Sequence, residues 1–152
     1  LRRLARTGAP DPNLRLMPGR LVSAKCGRGW CIPERDYAGE VRAVFNAVRR
    51  HVRYARDTEG ADLYQAPMRT LQIGAADCDD MSSLLAAMLI TIGYPVRYRV
   101  IRSHGARDWN HIYVVVGLPP GEPTRWVPLD ATVPMPPGWE APDVAARKDF
   151  AV

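Results

Sequence analysis

Long apolar runs are missing from this chain, and lysine and cysteine are scarce. No stretch reaches the roughly 18 apolar residues that a membrane-spanning helix needs, so no membrane association is predicted. The basic N-terminal stretch has no apolar core, so we expect no secretory signal there. These two expectations leave the compartment open, and cytoplasmic and virion-associated locations both fit the sequence.

Lysine is nearly absent: of 21 Lys and Arg residues only Lys25 and Lys148 are lysines, and the net charge is +5. The arginines are spread along the chain rather than clustered with aromatic residues, which is not the pattern of a nucleic-acid-binding surface. We therefore predict a solvated basic surface and no nucleic-acid partner. With 152 residues, 47% of them hydrophobic, the chain is expected to fold around one core.

Only three cysteines are present. Cys26 and Cys31 lie close together in "CGRGWC", a spacing that fits a small disulfide loop or half of a metal site. Because no second cysteine pair could complete a zinc site, we favour two free or loosely paired loop cysteines, with a stable disulfide as the alternative. Cys78 stands alone, and an odd cysteine is a candidate reactive thiol.

Two helices are predicted in the middle of the chain. Apolar residues at helical spacing predict the first over 37–53. The segment 62–76 is then predicted to be an extended connection, because Pro67 opposes a helix. An apolar stripe from Met81 to Ile92 predicts the second helix, which Asp77 caps, so that Cys78 lies in its first turn.

Three strands are predicted after these helices, over 96–101, 111–118 and 125–133. Pro128 marks the last of them as an edge or bulged strand. Short connections favour an antiparallel sheet with the cysteine-bearing helix packed against it, which makes the fold class α+β.

The chain is predicted to divide into a central domain with two flanking segments. An extended basic arm covers 1–35, with one short strand near 20–24. The central domain covers 36–133. A Pro-rich tail covers 134–152 and ends in a weak helix.

Three residues in this order suit covalent acyl chemistry. Cys78 begins a helix, where free N–H groups and the helix dipole favour a thiolate. His111 opens one strand and Asp130 lies near the end of the next, and neighbouring antiparallel strands can place the two side by side. A thiolate attacks an acyl carbon, a histidine moves the proton, and a carboxylate orients the imidazole.

The segment "GAADCDDMSSLLAAMLITIGYPVRYRVI", with "HIYVVV" and "RWVPLDAT" after it, resembles the transglutaminase-like superfamily over roughly residues 36–133. The resemblance implies a papain-like core and the catalytic triad Cys78, His111 and Asp130. Ala76 stands where members often have Gly, and Tyr113 where they often have Trp. No cofactor is implied, and no metal is included in the predicted site.

An oxyanion hole needs two hydrogen-bond donors. The backbone N–H of Cys78 is one candidate. Gln72 is the other, because its position before Cys78 resembles the spacing in papain, and Gln65 and Tyr64 are its rivals.

Asp77, Asp79 and Asp80 surround the thiol with negative charge, which by itself disfavours a thiolate. Capping of the helix by Asp77 and Asp80 is one explanation. Pairing with an arginine such as Arg69 or Arg97 is a second, and a calcium site, which the resemblance permits, is a third.

We predict acyl chemistry on a protein or peptide substrate, by a transglutaminase-like cysteine peptidase or amidase. An amine acceptor in place of water would make the chain a transglutaminase. The main alternative is a phage- or prophage-type assembly protein with a dormant triad, docked through the N-terminal arm or the tail. A basic nucleic-acid binder is the second rival.

Overall fold

The computed structural model describes residue 5, residues 11–56 and residues 64–152. Its helices are α1 (Pro12–Val22), α2 (Tyr37–His51), α3 (Pro67–Ile73) and α4 (Cys78–Thr91). Its strands are β1 (Lys25–Cys26), β2 (Gly29–Trp30), β3 (Arg53–Tyr54), β4 (Ala75–Ala76), β5 (Val96–Ser103), β6 (His111–Leu118), β7 (Arg125–Leu129) and β8 (Val144–Ala151). Within these ranges, none of the helices has the length and apolar character needed to cross a membrane.

The main sheet has the strand order β7-β6-β5-β8, and each neighbouring pair is antiparallel. This confirms the predicted α+β class. Pro128 pairs with Val115 in β7, at the edge of the sheet, where a residue without an N–H is tolerated. Because β7 ends at Leu129, Asp130 lies just beyond the strand.

Helix α4 is the centre of the core. Its residues 80–89 are all buried, because it packs against β6 on one side and against α2 and α3 on the others. Small side chains at Ser82, Ser83, Ala86 and Ala87 allow these neighbours to approach closely. The helix that carries Cys78 is therefore rigidly supported.

Two segments that were predicted to be extended are helical. Pro12 and Pro67 stand in the first turns of α1 and α3, where a missing N–H breaks no helical hydrogen bond. Asp11 caps α1 by accepting hydrogen bonds from the backbone of Asn13 and Leu14. The strand predicted near 20–24 is therefore wrong, because α1 runs to Val22, and the extended connection predicted over 62–76 is wrong over 67–73, which form α3.

The hairpin of β1 and β2 joins Cys26 to Cys31 in a disulfide, so the prediction of two free or loosely paired cysteines is wrong. Gly27 has φ +63°, which glycine adopts without strain, and this turn brings the two cysteines together. Sequence spacing alone could not choose between the alternatives, because the turn decides the distance. Cys78 is the free cysteine among the described residues.

The C-terminal tail adds a strand to the main sheet. Strand β8 pairs with β5 from Arg97 opposite Ala151 to Ser103 opposite Val144. The weak helix predicted for this tail is therefore wrong, because pairing with β5 overrides the local preference for helix. The Arg99 guanidinium ties the tail down by donating two 2.7 Å hydrogen bonds to Asp149 and one of 2.7 Å to Glu140.

We expect Arg99→Met to lower the free energy of unfolding by about 1–3 kcal/mol, because the half-buried Asp149 loses both charge-assisted hydrogen bonds. Arg147→Met is the matched control, since its side chain is 62% exposed and lies 3.4 Å from Glu140. An exposed pair of this kind contributes about 0–1 kcal/mol. Urea unfolding of both variants measures the difference, and equal losses would contradict the role given to Arg99.

Candidate active site

Cys78 is the first residue of α4, and its N-cap is Asp77. The Asp77 carboxylate accepts a 3.0 Å hydrogen bond from the backbone N–H of Asp80, which confirms that Asp77 caps the helix. The carboxylate is therefore directed at the helix N–H groups. The Cys78 side chain is half-buried at the positive end of the helix dipole.

The other two aspartates have different surroundings. One Asp80 oxygen accepts a 2.8 Å hydrogen bond from the backbone N–H of Gln65, which holds the segment before α3 against the first turn of α4. One Asp79 oxygen lies 3.9 Å from the Cys78 sulfur. Asp79 therefore keeps a carboxylate oxygen near the thiol, whereas Asp80 is engaged with the backbone of another segment.

His111 and Asp130 lie side by side, although they are far apart in the chain. The Nε2 atom of His111 is 2.7 Å from Oδ2 of Asp130. The other Asp130 oxygen accepts hydrogen bonds from the backbone N–H of Thr132 at 3.0 Å and from its hydroxyl at 2.6 Å. Because Thr132 occupies Oδ1, the buried carboxylate is fixed with Oδ2 facing the imidazole.

The helix and the histidine strand are joined next to the thiol. Ser82, one turn after Cys78, donates a 3.2 Å hydrogen bond to the backbone carbonyl of Ile112, the residue after His111. This bond fixes the first turn of α4 against the start of β6. Cys78 and His111 both line the cleft at this junction, and Cys78 is one of the groups that raise the pKa of His111.

Charge in the site is arranged to favour an imidazolium. Burial lowers the pKa of His111, but the hydrogen bonds with Asp130 and Cys78 outweigh burial and raise it from 6.5 to about 9. Burial likewise raises the pKa of Asp130, but hydrogen bonds from His111 and Thr132 bring it below its usual value. His111 is therefore protonated and Asp130 ionised at neutral pH.

A cleft of about 370 Å³ opens onto these groups. It is lined by Asp77, Cys78, Asp79, Val100, Trp109, Asn110, His111 and Ile112. A larger cavity of about 430 Å³ lies against Tyr113, Glu140 and β8. That larger cavity is lined by no thiol and no histidine, so the smaller cleft is the one that can hold a reacting group.

Comparison with known proteins identifies the family of this chain. The model of the transglutaminase-like superfamily matches residues 29–131. The chain belongs to the transglutaminase-like superfamily. The match contains Cys78, His111 and Asp130, and so includes every residue of the candidate triad.

Solved structures share the fold of this superfamily member. LapG of Legionella pneumophila has a TM-score of 0.58 at 16% identity, over 94% of this chain and 79% of LapG. A candidate cysteine protease from Cytophaga hutchinsonii has a TM-score of 0.57 at 18% identity, over 91% of this chain. The chain spans 46% of the Cytophaga protein, less than half its length. No curated protein sequence matches the chain.

The structure of calcium-bound LapG also matches, with a TM-score of 0.58 at 18% identity, over 94% of this chain and 77% of LapG. In the present chain, the described residues contain no group of three His, Cys, Asp or Glu side chains that could hold a metal ion. Two of the three aspartates beside the thiol accept hydrogen bonds from backbone N–H groups. Asp77 thereby caps α4, and Asp80 ties the segment before α3 to it.

Sequence reasoning missed two residues of the site and left a third as a prediction. Ser82 bonds the start of α4 to β6, and Thr132 fixes the Asp130 carboxylate. Of these only Thr132 had a signal, the Asp-x-Thr spacing that lets a side chain cap its own turn. Gln72 lies exposed on α3, and its role as an oxyanion donor stays a prediction. Trp109 lines the cleft beside His111.

Proposed function

We propose that this chain is a cysteine-dependent peptidase or amidase that works through a thioester on Cys78, with His111 and Asp130 completing the triad. One observation carries the proposal. A free cysteine at a helix N-terminus shares a cleft with a histidine whose far nitrogen is 2.7 Å from a buried carboxylate. These are the groups that nucleophilic acyl transfer needs, and Cys78 and His111 share one cleft.

The first half of the reaction would form the thioester. Because Nε2 of His111 is engaged by Asp130, Nδ1 is the ring nitrogen left for the thiol. In the resting protein, where His111 is protonated, the thiol would already have passed its proton to the imidazole, and the resulting thiolate would attack the carbonyl carbon of the substrate amide. The imidazolium then protonates the leaving nitrogen, and the C–N bond breaks. The backbone N–H of Cys78, at the start of the helix, would donate to the developing oxyanion.

The second half would release the acyl group. His111, now neutral, takes a proton from water, and the resulting hydroxide adds to the thioester carbonyl. The C–S bond breaks, and Sγ leaves as the thiolate beside the imidazolium. An amine in place of water would transfer the acyl group and give transglutamination. We choose hydrolysis because the proteins of similar fold include a candidate cysteine protease.

The proposal predicts how fast Cys78 is alkylated. We expect iodoacetamide to modify Cys78 at neutral pH at least about tenfold faster than in a His111→Ala variant, because the imidazolium stabilises the thiolate. Peptide mapping by mass spectrometry identifies the modified cysteine. Equal rates in the two proteins, at the rate of an ordinary thiol, would show that His111 does not activate Cys78.

An assembly role for the N-terminal part of the chain is the second candidate. It is favoured by an exposed apolar side chain outside the cleft, Trp30 in the disulfide hairpin, which is 44% exposed. Such residues contact partner proteins in many complexes. A stable complex that still forms when residues 78, 111 and 130 are replaced, but is lost when residues 1–35 are removed, would support this role.

A further inference from the structure

Exposed aromatic side chains occur on three segments next to the residues of the candidate active site. Six large apolar side chains are exposed among the described residues, namely Leu16, Trp30, Tyr54, Tyr64, Ile73 and Trp109. Single exposed apolar residues need no explanation, whereas several around one cleft mark a binding surface. Three of the six, Tyr54, Tyr64 and Trp109, lie on segments that are bonded to the catalytic elements.

Trp109 forms one wall of the cleft, next to His111. It is 51% exposed and lines the cleft together with Cys78. The backbone beside it is anchored, because the Asn110 N–H donates to the Ile101 carbonyl at 3.0 Å and the Asn110 side chain accepts from the Ser103 N–H at 2.9 Å. The indole is thus held at the cleft by a fixed loop end.

Tyr54 lies on a strand that pairs with the residues just before the thiol. Strand β3 pairs in parallel with β4, which places Tyr54 opposite Ala76, two residues before Cys78. The Ala55 N–H donates to the Ala76 carbonyl at 2.8 Å and extends this pairing. The Tyr54 side chain remains 40% exposed, so it is available to a molecule lying across the start of α4.

Tyr64 lies beside the same helical turn. The next residue, Gln65, donates its backbone N–H to Asp80 at 2.8 Å, which ties this segment to the first turn of α4. Asp80 and Cys78 are two residues apart on a helix and so point about 200° apart, which puts this segment across the turn from His111. The Tyr64 side chain is 58% exposed.

We propose that Trp109, Tyr54 and Tyr64 bind apolar side chains of an extended polypeptide on the two sides of the residue that acylates Cys78. Trp109 lines the nucleophile's cleft, and Tyr54 and Tyr64 come from two further segments that are bonded next to the first turn of α4. Three aromatic groups on separate segments suit a chain that spans them rather than a small molecule. The substrate class is then a protein segment with aromatic or large aliphatic residues flanking the cleaved amide. The acylation itself rests on the function proposed above.

Binding to a Cys78→Ala variant tests this inference without turnover. Two fluorescein-labelled peptides are compared by fluorescence anisotropy, one with Phe and one with Gly on both sides of a central alanine. We expect the Phe peptide to bind at least about tenfold more tightly, since burying even one Phe side chain is worth that much. Adding Trp109→Ala should remove most of this difference. Adding Leu16→Ala, a side chain of similar exposure on α1, should leave it unchanged.

Equal affinities for the two peptides would overturn the inference, and so would a failure of both to bind. An equal loss of affinity from Leu16→Ala and Trp109→Ala would also overturn it. The proposed function is judged separately, by the iodoacetamide rate of the unaltered chain. If the chain binds the Phe peptide but its thiol is unreactive, the peptide-binding surface is supported and the proposed triad chemistry is contradicted.

Discussion

We expect Cys78→Ser to lower kcat/KM for amide and ester substrates by at least about 10³-fold. In the proposed mechanism the nucleophile is a thiolate, which a helix dipole and an imidazolium can stabilise. A serine hydroxyl is far less acidic than a thiol, so the same surroundings do not ionise it. The exchange of oxygen for sulfur is nearly isosteric, and therefore the helix and its cap should stay intact.

The matched control removes the other two sulfur atoms. A Cys26→Ser/Cys31→Ser variant loses the disulfide of the exposed hairpin but no group that lines the cleft. We expect it to keep kcat/KM within about threefold of the unaltered chain. Steady-state hydrolysis of a peptide amide compares the variants. A Cys78→Ser protein with more than a tenth of the original activity would mean that another residue is the nucleophile.

Asp130→Asn is expected to lower kcat by about 10²–10⁴-fold. Thr132 donates two hydrogen bonds to Oδ1, so the carbonyl oxygen of an asparagine would be held at that position. Its NH₂ group would then face Nε2 of His111, where Oδ2 lies 2.7 Å away in the original protein. Two donors cannot bond each other, so the proton would move to Nδ1, and the imidazole could no longer accept a proton from the thiol.

The pH profile separates this effect from a general loss of structure. The pKa of His111 is raised to about 9, so the imidazolium is present below that pH and is lost as the pH rises through it. Activity of the unaltered chain should therefore fall on the alkaline side near pH 9. Without the Asp130 carboxylate the fall should move to lower pH. Asp149→Asn, which changes a carboxylate paired with Arg99, should leave the profile in place. An unchanged profile in Asp130→Asn would contradict the pairing.

Much of the fold could be predicted because its signals are local. The apolar stripe and the Asp77 cap define α4, and the β-prone run from His111 defines β6. The predictions were wrong where tertiary contacts determine the local structure. Strand β8 exists because β5 offers it a partner, and the Cys26–Cys31 bridge exists because a turn at Gly27 closes the hairpin. The helical prolines at 12 and 67 could have been recognised as first-turn residues.

The candidate site could be predicted to a similar extent. A cysteine at a helix start, a histidine opening a strand and an aspartate after the next strand are visible in order, and the structure brings His111 and Asp130 together. The hydrogen bonds that support these residues are harder to predict from the sequence. In the sequence, Ser82 is only one polar residue in an apolar helix. Its role follows from the position of the Ile112 carbonyl, which the sequence does not give. The Tyr113 hydroxyl donates a 2.7 Å hydrogen bond to Glu140, and no pattern in the sequence predicts this contact.

The most direct test of acyl chemistry at Cys78 is to look for the acyl-enzyme. The chain is mixed with p-nitrophenyl acetate and stopped in acid, and the modified peptide is found by mass spectrometry. We predict a rapid release of nitrophenol, about one acetyl group per chain on Cys78 and its loss with time as the thioester hydrolyses, with slow labelling in His111→Ala. No acetyl group on Cys78, or the same rate of acetylation in His111→Ala, would contradict triad chemistry at this thiol.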